Sequence, residues 1–180
     1  QRLLDIGCGW GGLALHAARH YGVDVTGITL GQPQVELATQ RIASAGLANR
    51  CRVCLRDYRE LAEPGAYDAL ASIGMFEHVG EQLLAGYFAK ACELLKPGGV
   101  FLNHGIARRH GAIQTTNRAS FVDHYVFPDG ELVPISTTLA AAEAAGFEVR
   151  DVESLREHYA LTLRHWVRRL EEHHAQALQY

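Results

Sequence analysis

Short apolar runs alternate with amphipathic segments along most of the chain. The apolar runs predict six β-strands, and the amphipathic segments predict the helices between them. The predicted strands are 3–6, 23–30, 50–56, 67–73, 100–106 and 147–152, and the predicted helices are 13–21, 33–45, 82–95, 140–145 and 159–177. Because strands that alternate with helices are joined by right-handed crossovers, this order predicts an α/β fold, with an open, mostly parallel sheet covered by helices on both faces.

Two of the predicted helices carry distinct apolar faces. The helix over 82–95 places Leu83, Tyr87, Ala91 and Leu94 on one face. The last helix has an apolar stripe at spacings of three, four and seven, formed by Tyr159, Leu163, Trp166, Leu170 and Ala177. We expect Trp166 to be a core residue.

The length of 180 residues predicts a single domain, 1–180, with a core of its own. Residues 107–134 show no sustained period, and Pro128 and Pro134 punctuate their end. A segment of this length without a repeat is usually a lid or a substrate-binding excursion. Because the first strand begins almost at Gln1 and the chain stops inside a predicted helix, we expect a catalytic core that lacks terminal elements at both ends.

Composition narrows the class of protein. The 17 Lys and Arg residues and 20 Asp and Glu residues give a formal net charge of −3, which offers no footprint for nucleic acid. The chain is 48% hydrophobic and 21% charged, as soluble globular proteins are. Its apolar runs are far shorter than the roughly 20 residues that cross a bilayer, and its first residues do not form a secretory signal. These features favour a cytoplasmic protein.

Neither the cysteines nor the histidines predict a metal site. Four scattered cysteines are too few for a disulfide framework and fit a reducing compartment. Cys51 and Cys54 form a C-x-x-C pair, but positions i and i+3 of a strand point to opposite faces, so the two sulfurs could not share a metal. His16 and His20 lie one helical turn apart without a converging carboxylate or thiolate.

A glycine-rich turn follows the first predicted strand and opens the first predicted helix. Gly7, Gly9 and Gly11 lie where an open parallel sheet binds its ligand, and the helix that follows offers free N–H groups to an anion. Dinucleotide-binding enzymes use the related spacing G-x-G-x-x-G, which Gly7, Gly9 and Gly12 also match. The second strand ends in Thr29 and Leu30, however, without the acidic residue that would bind a ribose diol. That absence argues against NAD, and it is also unusual for an ordinary methyltransferase.

Seven sequence blocks make the interpretation specific. They are Leu4-Asp-Ile-Gly-Cys-Gly-Trp-Gly-Gly12, Gly27-Ile-Thr-Leu30 with Gln34, Asp57-Tyr-Arg59, Ser72-Ile-Gly-Met-Phe-Glu-His-Val-Gly80, Leu95-Lys-Pro-Gly-Gly99, His104-Gly-Ile106 and His158-Tyr-Ala-Leu-Thr-Leu-Arg-His-Trp166. In this order the chain resembles the cyclopropane-fatty-acyl-phospholipid synthases and the similar mycolic acid methyltransferases, over nearly its whole length. The block from Ser72 to Gly80 is more diagnostic than the glycine turn. In that family the second strand ends in Thr, which accounts for the missing acid.

The resemblance implies a Rossmann-like class I methyltransferase fold and an S-adenosylmethionine (SAM) pocket. Residue by residue, it implies Gly7, Gly9 and Gly11 beneath the methionine moiety, Thr29, Leu30 and Gln34 by the ribose, and Asp57 and Tyr58 by the adenine. Leu30 and Tyr58 have an equal alternative as simple core residues. We expect Cys8 and Trp10 to serve packing rather than chemistry.

The resemblance also implies the chemistry. SAM-dependent methylation of a cis double bond in an unsaturated phospholipid acyl chain leaves a carbocation, which loses a proton to close a cyclopropane ring. A bound bicarbonate would take that proton, held by Glu77, His104, the backbone of Ile106 and the hydroxyl of Tyr159. Since two close like charges repel, Glu77 and bicarbonate need a shared proton or a donor between them, so we assign Glu77 to orienting the anion.

Several alternatives stay open at this point. Glu77 could instead cap the following helix, and His104 could be a satisfied buried histidine. The acceptor could yield a branched or hydroxylated lipid or an N-methylated small molecule, or the chain could be an inactive fragment. The resemblance further implies peripheral contact with the inner face of the membrane. Arginines that could meet anionic headgroups are Arg108, Arg109, Arg118, Arg164, Arg168 and Arg169.

Overall fold

The computed structural model describes residues 1–111, 124–125 and 130–179. The chain divides into two compact units, Gln1–Glu148 and Val149–Tyr180. Most of the predicted excursion over 107–134, including Arg118 and Pro128, lies outside the described residues. The first unit contains the sheet and almost all of the candidate site residues.

The described part of the first unit contains five parallel strands and four α-helices. In chain order they are β1 (Arg2–Ile6), α1 (Gly12–Tyr21), β2 (Asp24–Thr29), α2 (Gln32–Ser44), β3 (Cys51–Leu55), β4 (Tyr67–Ile73), α3 (Leu84–Leu94), β5 (Leu95–His104) and α4 (Ile135–Ala144). The strand order across the sheet is β3-β2-β1-β4-β5. Every pair of neighbouring strands is parallel, as the alternation of strands and helices predicted.

Alternate residues of the strands pack under helices on opposite faces of the sheet. On one face, Val25 and Cys51 join a buried cluster with alanines of α1 and α2. On the other face, Leu4, Ile6 and Leu70 join Ala91 and Leu94 of α3. Both faces are therefore covered, which confirms the layered α/β prediction. Cys51 and Cys54 point to opposite faces, since Cys51 belongs to the first cluster and Cys54 lines a cavity of about 130 Å³ with Thr26 and Ile28.

The register brings the carboxyl ends of all five strands to one edge of the sheet. Ile6 pairs with Ile28 on one side and with Ser72 on the other. Ile73 pairs with His104, and Thr29 pairs with Leu55. Each candidate site segment of the first unit follows one of these strand ends, which is where open parallel sheets bind ligands.

Three expectations about strands and helices were wrong. Residues 147–152 form no strand, because a strand needs a hydrogen-bonded neighbour and the described residues supply none; the N–H of Phe147 instead donates to Ala142 at the end of α4. The strand predicted over 100–106 is β5, which begins at Leu95 and ends at His104. It includes Lys96–Gly99, where its pairing with β4 has a register irregularity. Leu83 is 57% exposed, because a 3₁₀ turn over Glu81–Leu83 shifts the buried face to Leu84, Tyr87, Phe88, Ala91 and Leu94.

The second unit consists of α5 (Arg156–Glu172) and α6 (His174–Ala177). The predicted last helix is thus confirmed, but its apolar stripe is not buried. Trp166 is 51% exposed, so its interpretation as a core residue was wrong, and its ring meets Tyr159 edge-on at 6.2 Å. None of the described helices is long and apolar enough to cross a bilayer.

Candidate functional site

The glycine turn forms an open cradle between β1 and α1. Gly7, Gly9 and Gly11 all have positive φ, a conformation that side chains with a Cβ rarely adopt. A Cβ on Gly7 would lie 2.6 Å from Cγ of Met75, whereas a Cβ on Gly9 would meet nothing within 4 Å. Gly9 therefore borders open space, and α1 begins beside it without a side-chain cap on its first N–H groups. This arrangement can accept a carboxylate such as that of methionine.

Cys8 and Trp10 lie between the three glycines and were expected to serve packing, which holds for Cys8 only. Cys8 is buried, and burial raises the pKa of its thiol to about 12, so it packs and does not react. Trp10 is 50% exposed, which shows that the packing role expected for it was wrong.

A polar pair lies at the end of β2. The Thr29 hydroxyl is hydrogen-bonded to the Gln34 side chain and accepts the N–H of Gly31 at 3.3 Å. Leu30 is 73% exposed, so its alternative interpretation as a core residue was wrong. A hydroxyl and an amide at the edge of the cradle can bind the hydroxyl groups of a ribose.

The segment after β3 is held by its own arginine. Asp57 accepts the backbone N–H of Arg59 at 2.9 Å and its guanidinium at 2.5 and 2.9 Å. This hydrogen bonding lowers the pKa of Asp57 and fixes a 3₁₀ turn over Tyr58–Glu60. Tyr58 is half-buried, and its ring meets Tyr87 edge-on at 5.5 Å. Tyr58 therefore packs against the core, and its place beside the adenine, which the resemblance implies, stays a prediction.

Glu77 is a buried carboxyl group held between β4 and β5. It lies in the 3₁₀ turn Phe76–His78, is 5% exposed, and its Oε1 accepts the backbone N–H of Ile106 at 2.8 Å. Its Oε2 is buried without a hydrogen-bond partner among the described residues. Glu77 does not cap the following helix, so that alternative was wrong. An orphaned buried carboxylate oxygen calls for a ligand that donates a hydrogen bond.

Ile106 contacts Glu77, His104 lies two positions before Ile106 at the end of β5, and Tyr159 belongs to the second unit. His104 is the last residue of β5, its carbonyl accepts the N–H of Gly74 at 2.9 Å, and its side chain is exposed. The alternative of a satisfied buried histidine was therefore wrong. The Ile106 N–H donates to Glu77 itself, so Ile106 contributes to this cluster through Glu77. Tyr159 lies on the first turn of α5 and is 46% exposed, and its place beside the other three stays a prediction.

The cradle and the Glu77 turn meet at Met75. The Met75 side chain is in close contact with Gly7, and Met75 directly precedes the turn that carries Glu77. The open space above Gly9 and the orphaned oxygen of Glu77 therefore belong to one region of the sheet edge. Among residues 1–111, 124–125 and 130–179, no three His, Cys, Asp or Glu side chains converge as a metal site.

Sequence reasoning gave Asp5 no role, although it lies in the first quoted block. Asp5 is the penultimate residue of β1, two positions before Gly7; it is 3% exposed, and its Oδ2 has no hydrogen-bond partner among the described residues. Burial raises its pKa from the ordinary value of 3.8 to about 7. The available signal was an acid inside an otherwise apolar strand. A buried carboxyl group without a partner is stabilised in its neutral form.

Replacing Asp5 with Asn should change how stability depends on pH. Below about pH 4 the carboxyl is protonated in both the folded and the unfolded chain, so it contributes no difference. Between about pH 4 and 7 only the unfolded chain releases the proton, and the free energy of unfolding falls by up to roughly 4 kcal/mol. Asp5→Asn cannot ionise and should escape this loss. Denaturant unfolding of both proteins at pH 4 and pH 8 measures it.

Asp24→Asn is the matched control, because Asp24 also lies on a strand but is only half-buried and is paired with Arg52 at 2.7 Å. It should leave the pH profile close to that of the wild type. An Asp5→Asn profile that falls as steeply as the wild type from pH 4 to pH 8 would show that Asp5 is ionised in the folded protein.

Comparison with known proteins identifies the family of this chain. The family model described as mycolic acid cyclopropane synthetase matches residues 1–180. A probable fatty acid methyltransferase of Pseudomonas putida is 48% identical over 98% of this chain and 46% of its own length. The cyclopropane-fatty-acyl-phospholipid synthase of Escherichia coli K12 is 36% identical over 94% of this chain and 42% of its own.

A solved structure shows the same fold. The mycolic acid cyclopropane synthase CmaA1, in a crystal structure with S-adenosylhomocysteine (SAH) and CTAB, superposes with a TM-score of 0.86 at 34% identity, over 99% of this chain and 65% of that one. The fold is thus that of the class I SAM-dependent methyltransferases, as the sequence predicted. The chain spans less than half the length of the two curated relatives. It belongs to the mycolic acid cyclopropane synthetase family.

Proposed function

We propose that this protein transfers a methylene group from SAM to the cis double bond of an unsaturated phospholipid acyl chain and closes a cyclopropane ring. The observation that carries the proposal is the buried carboxyl of Glu77, with one oxygen held by Ile106 and the other left without a partner. The fold and the family support a SAM-dependent enzyme. The E. coli relative is named for the phospholipid product.

The residues at the sheet edge fit SAM. Gly9 leaves space for the methionine moiety, and the uncapped start of α1 suits its carboxylate. Thr29 and Gln34 would bind the ribose, with Leu30 exposed beside them. Gly7 and Gly11 shape the cradle, and Asp57 and Tyr58 would border the adenine. When bound, SAM supplies an electrophilic methyl group on a positively charged sulfur.

Glu77 and its neighbours fit the second half of the reaction. An isolated alkene is a weak nucleophile, and its methylation leaves a carbocation that water must not reach. Bicarbonate supplies a base for the proton that the cation must lose. Its hydroxyl can donate to the orphaned Oε2 of Glu77, which meets the need for a shared proton between two anions. We assign Glu77 and His104 to holding it, with Ile106 acting through Glu77 and Tyr159 donating its hydroxyl.

A substrate that is part of a phospholipid implies contact with a lipid surface. We place the protein in the cytoplasm, at the inner face of the membrane, with peripheral rather than spanning attachment. Exposed arginines available for headgroups include Arg109 near the end of β5 and Arg164 and Arg169 on α5. Each basic residue near an anionic surface contributes about 1 kcal/mol.

SAM binding tests the cofactor half of the proposal through Gly9 and Gly46. Both glycines have positive φ and open space where a Cβ would lie, but Gly46 is at the far end of α2. Alanine at either position should cost about 1–2 kcal/mol of stability. Gly9→Ala should also weaken SAM binding by about tenfold or more, because its methyl group enters the cradle, whereas Gly46→Ala should not.

Isothermal titration calorimetry with SAM and with NADH measures this directly. Equal SAM affinity in the two variants, or binding of NADH in place of SAM by the wild type, would refute the assigned pocket.

A further inference from the structure

We propose that Glu131 is a positioning residue that holds the Glu77 turn in place. Glu131 is exposed and lies 54 positions beyond Glu77 in the chain, where no motif of the sequence singled it out. It bridges both ends of the segment from Glu77 to Glu81. The proposal rests on the role given to Glu77 under the proposed function.

Two hydrogen bonds from one residue carry the inference. The backbone N–H of Glu131 donates to the Glu77 carbonyl at 2.8 Å. Its carboxylate Oε2 accepts the N–H of Glu81 at 3.1 Å, at the start of the 3₁₀ turn before α3. A Cβ on Gly80 would lie 2.7 Å from the same oxygen, so the carboxylate is packed closely against the turn. Glu131 therefore fixes the turn from its outer side.

Arg108 links Glu81 and the residues that follow Glu131 to the segment after β5. Its backbone N–H donates to Val133 at 3.2 Å, and its Nε donates to Leu132 at 2.8 Å. Its Nη2 lies 3.8 Å from the Glu81 carboxylate. Because Ile106, two residues earlier, donates to Glu77, the segments 76–81, 104–108 and 131–134 form a closed ring of polar contacts.

This ring explains how a carboxyl group on a short turn keeps one geometry. The turn's own backbone hydrogen bonds run from His78 to Met75 and from Val79 to Phe76, and neither reaches another part of the chain. Glu131 supplies the external anchor on one side and Ile106 supplies it on the other. A site that must orient a small anion needs its side chains fixed within a fraction of an ångström. Loss of the Glu131 carboxylate should therefore loosen Glu77 without unfolding the core.

Residue-resolved amide hydrogen exchange tests the proposal through a group that Glu131 does not touch. In Glu131→Ala, the Ile106 amide, which is bonded to the Glu77 carboxylate, should exchange about tenfold faster. Glu131→Gln keeps an acceptor oxygen and should restore most of the protection. Glu143→Ala, an exposed acid on α4, is the matched control and should change nothing. Turnover, where it is detected, should fall in kcat with the KM for SAM unchanged.

Two results would overturn the proposal. Faster exchange at Glu81 alone, with Ile106 unchanged, would mean that Glu131 only caps the 3₁₀ turn. Faster exchange throughout the first unit would mean a general loss of stability. The exchange measurement does not depend on catalysis, so the two proposals can fail separately. If the protein forms no cyclopropane product but the Ile106 amide exchanges faster in Glu131→Ala, the proposed function is refuted and the positioning role of Glu131 stands.

Discussion

Glu77→Gln is expected to lower kcat for methylene transfer by at least about a hundredfold while leaving SAM affinity within about twofold. Glutamine keeps an oxygen that can accept the Ile106 N–H, so the turn retains its geometry. It loses the negative charge and presents an NH₂ group where the orphaned Oε2 now lies. The chemical role is thereby separated from the structural one. Initial rates with unsaturated phospholipid vesicles, together with calorimetric SAM titration, measure both effects.

Glu143→Gln is the matched control and should keep full turnover, since Glu143 is exposed on α4. Tyr159→Phe removes only a hydroxyl and should also slow turnover if that hydroxyl holds the anion. Full turnover in both Glu77→Gln and Tyr159→Phe would show that the catalytic residues have been assigned wrongly.

Gly105→Ala should destabilise the first unit by about 1–3 kcal/mol and abolish most activity. A Cβ at this position would lie 1.9 Å from Cε1 of Phe76 and 3.1 Å from Cδ of Glu77. Phe76 is 3% exposed within a buried cluster and has no room to move aside. The new methyl group must therefore displace the turn that carries Glu77. Chemical denaturation and turnover measurements report the two consequences.

Gly86→Ala provides a control of the opposite sign. Gly86 is exposed inside α3, and a Cβ there would meet nothing within 4 Å. Alanine should stabilise this helix by about 0.5–1 kcal/mol. If Gly105→Ala unfolds at the same denaturant concentration as the wild type, the close packing of Gly105 against the Glu77 turn is not present in solution.

The parts of the fold that follow from local pattern were predictable. β4 spans Tyr67–Ile73 in both the prediction and the structure, because a largely apolar run between two glycines, Gly65 and Gly74, is typical of a buried parallel strand. The start of α2 at Gln32, with Pro33 in its first turn, also follows from local chemistry. The sequence pattern predicts the type of sheet, open and mostly parallel. It does not give the order of the strands by itself, since pairing joins residues that are distant in sequence.

The errors arose where tertiary context overrides local pattern. Residues 147–152 alternate as a strand would, but alternation does not supply a hydrogen-bonding neighbour. Leu83 has the helical spacing of the buried face, but the 3₁₀ turn that contains it shifts that face to Leu84 and leaves Leu83 exposed. Trp166 has the spacing of a core residue, yet spacing does not say what covers it.

The candidate site divides in the same way. The glycine cradle and the segment around Glu77 carry short motifs, so family resemblance identifies them. The partner of Glu77 is a backbone N–H 29 positions away, and only the structure shows that Ile106 donates to Glu77 itself. Asp5 and Glu131 escaped notice because burial and contacts between distant segments leave little trace in residue spacing.

Mass spectrometry of lipid products formed with SAM that carries a fully deuterated methyl group tests the central claim most directly. The chain is supplied with vesicles of unsaturated phospholipid, and the product of the whole reading frame that encodes it is assayed in parallel. Ring closure predicts a product that gains one carbon, retains two of the three deuterium atoms and resists ozonolysis at the former double bond. A product that retains all three deuterium atoms, or label on an amine instead of an acyl chain, would contradict the account.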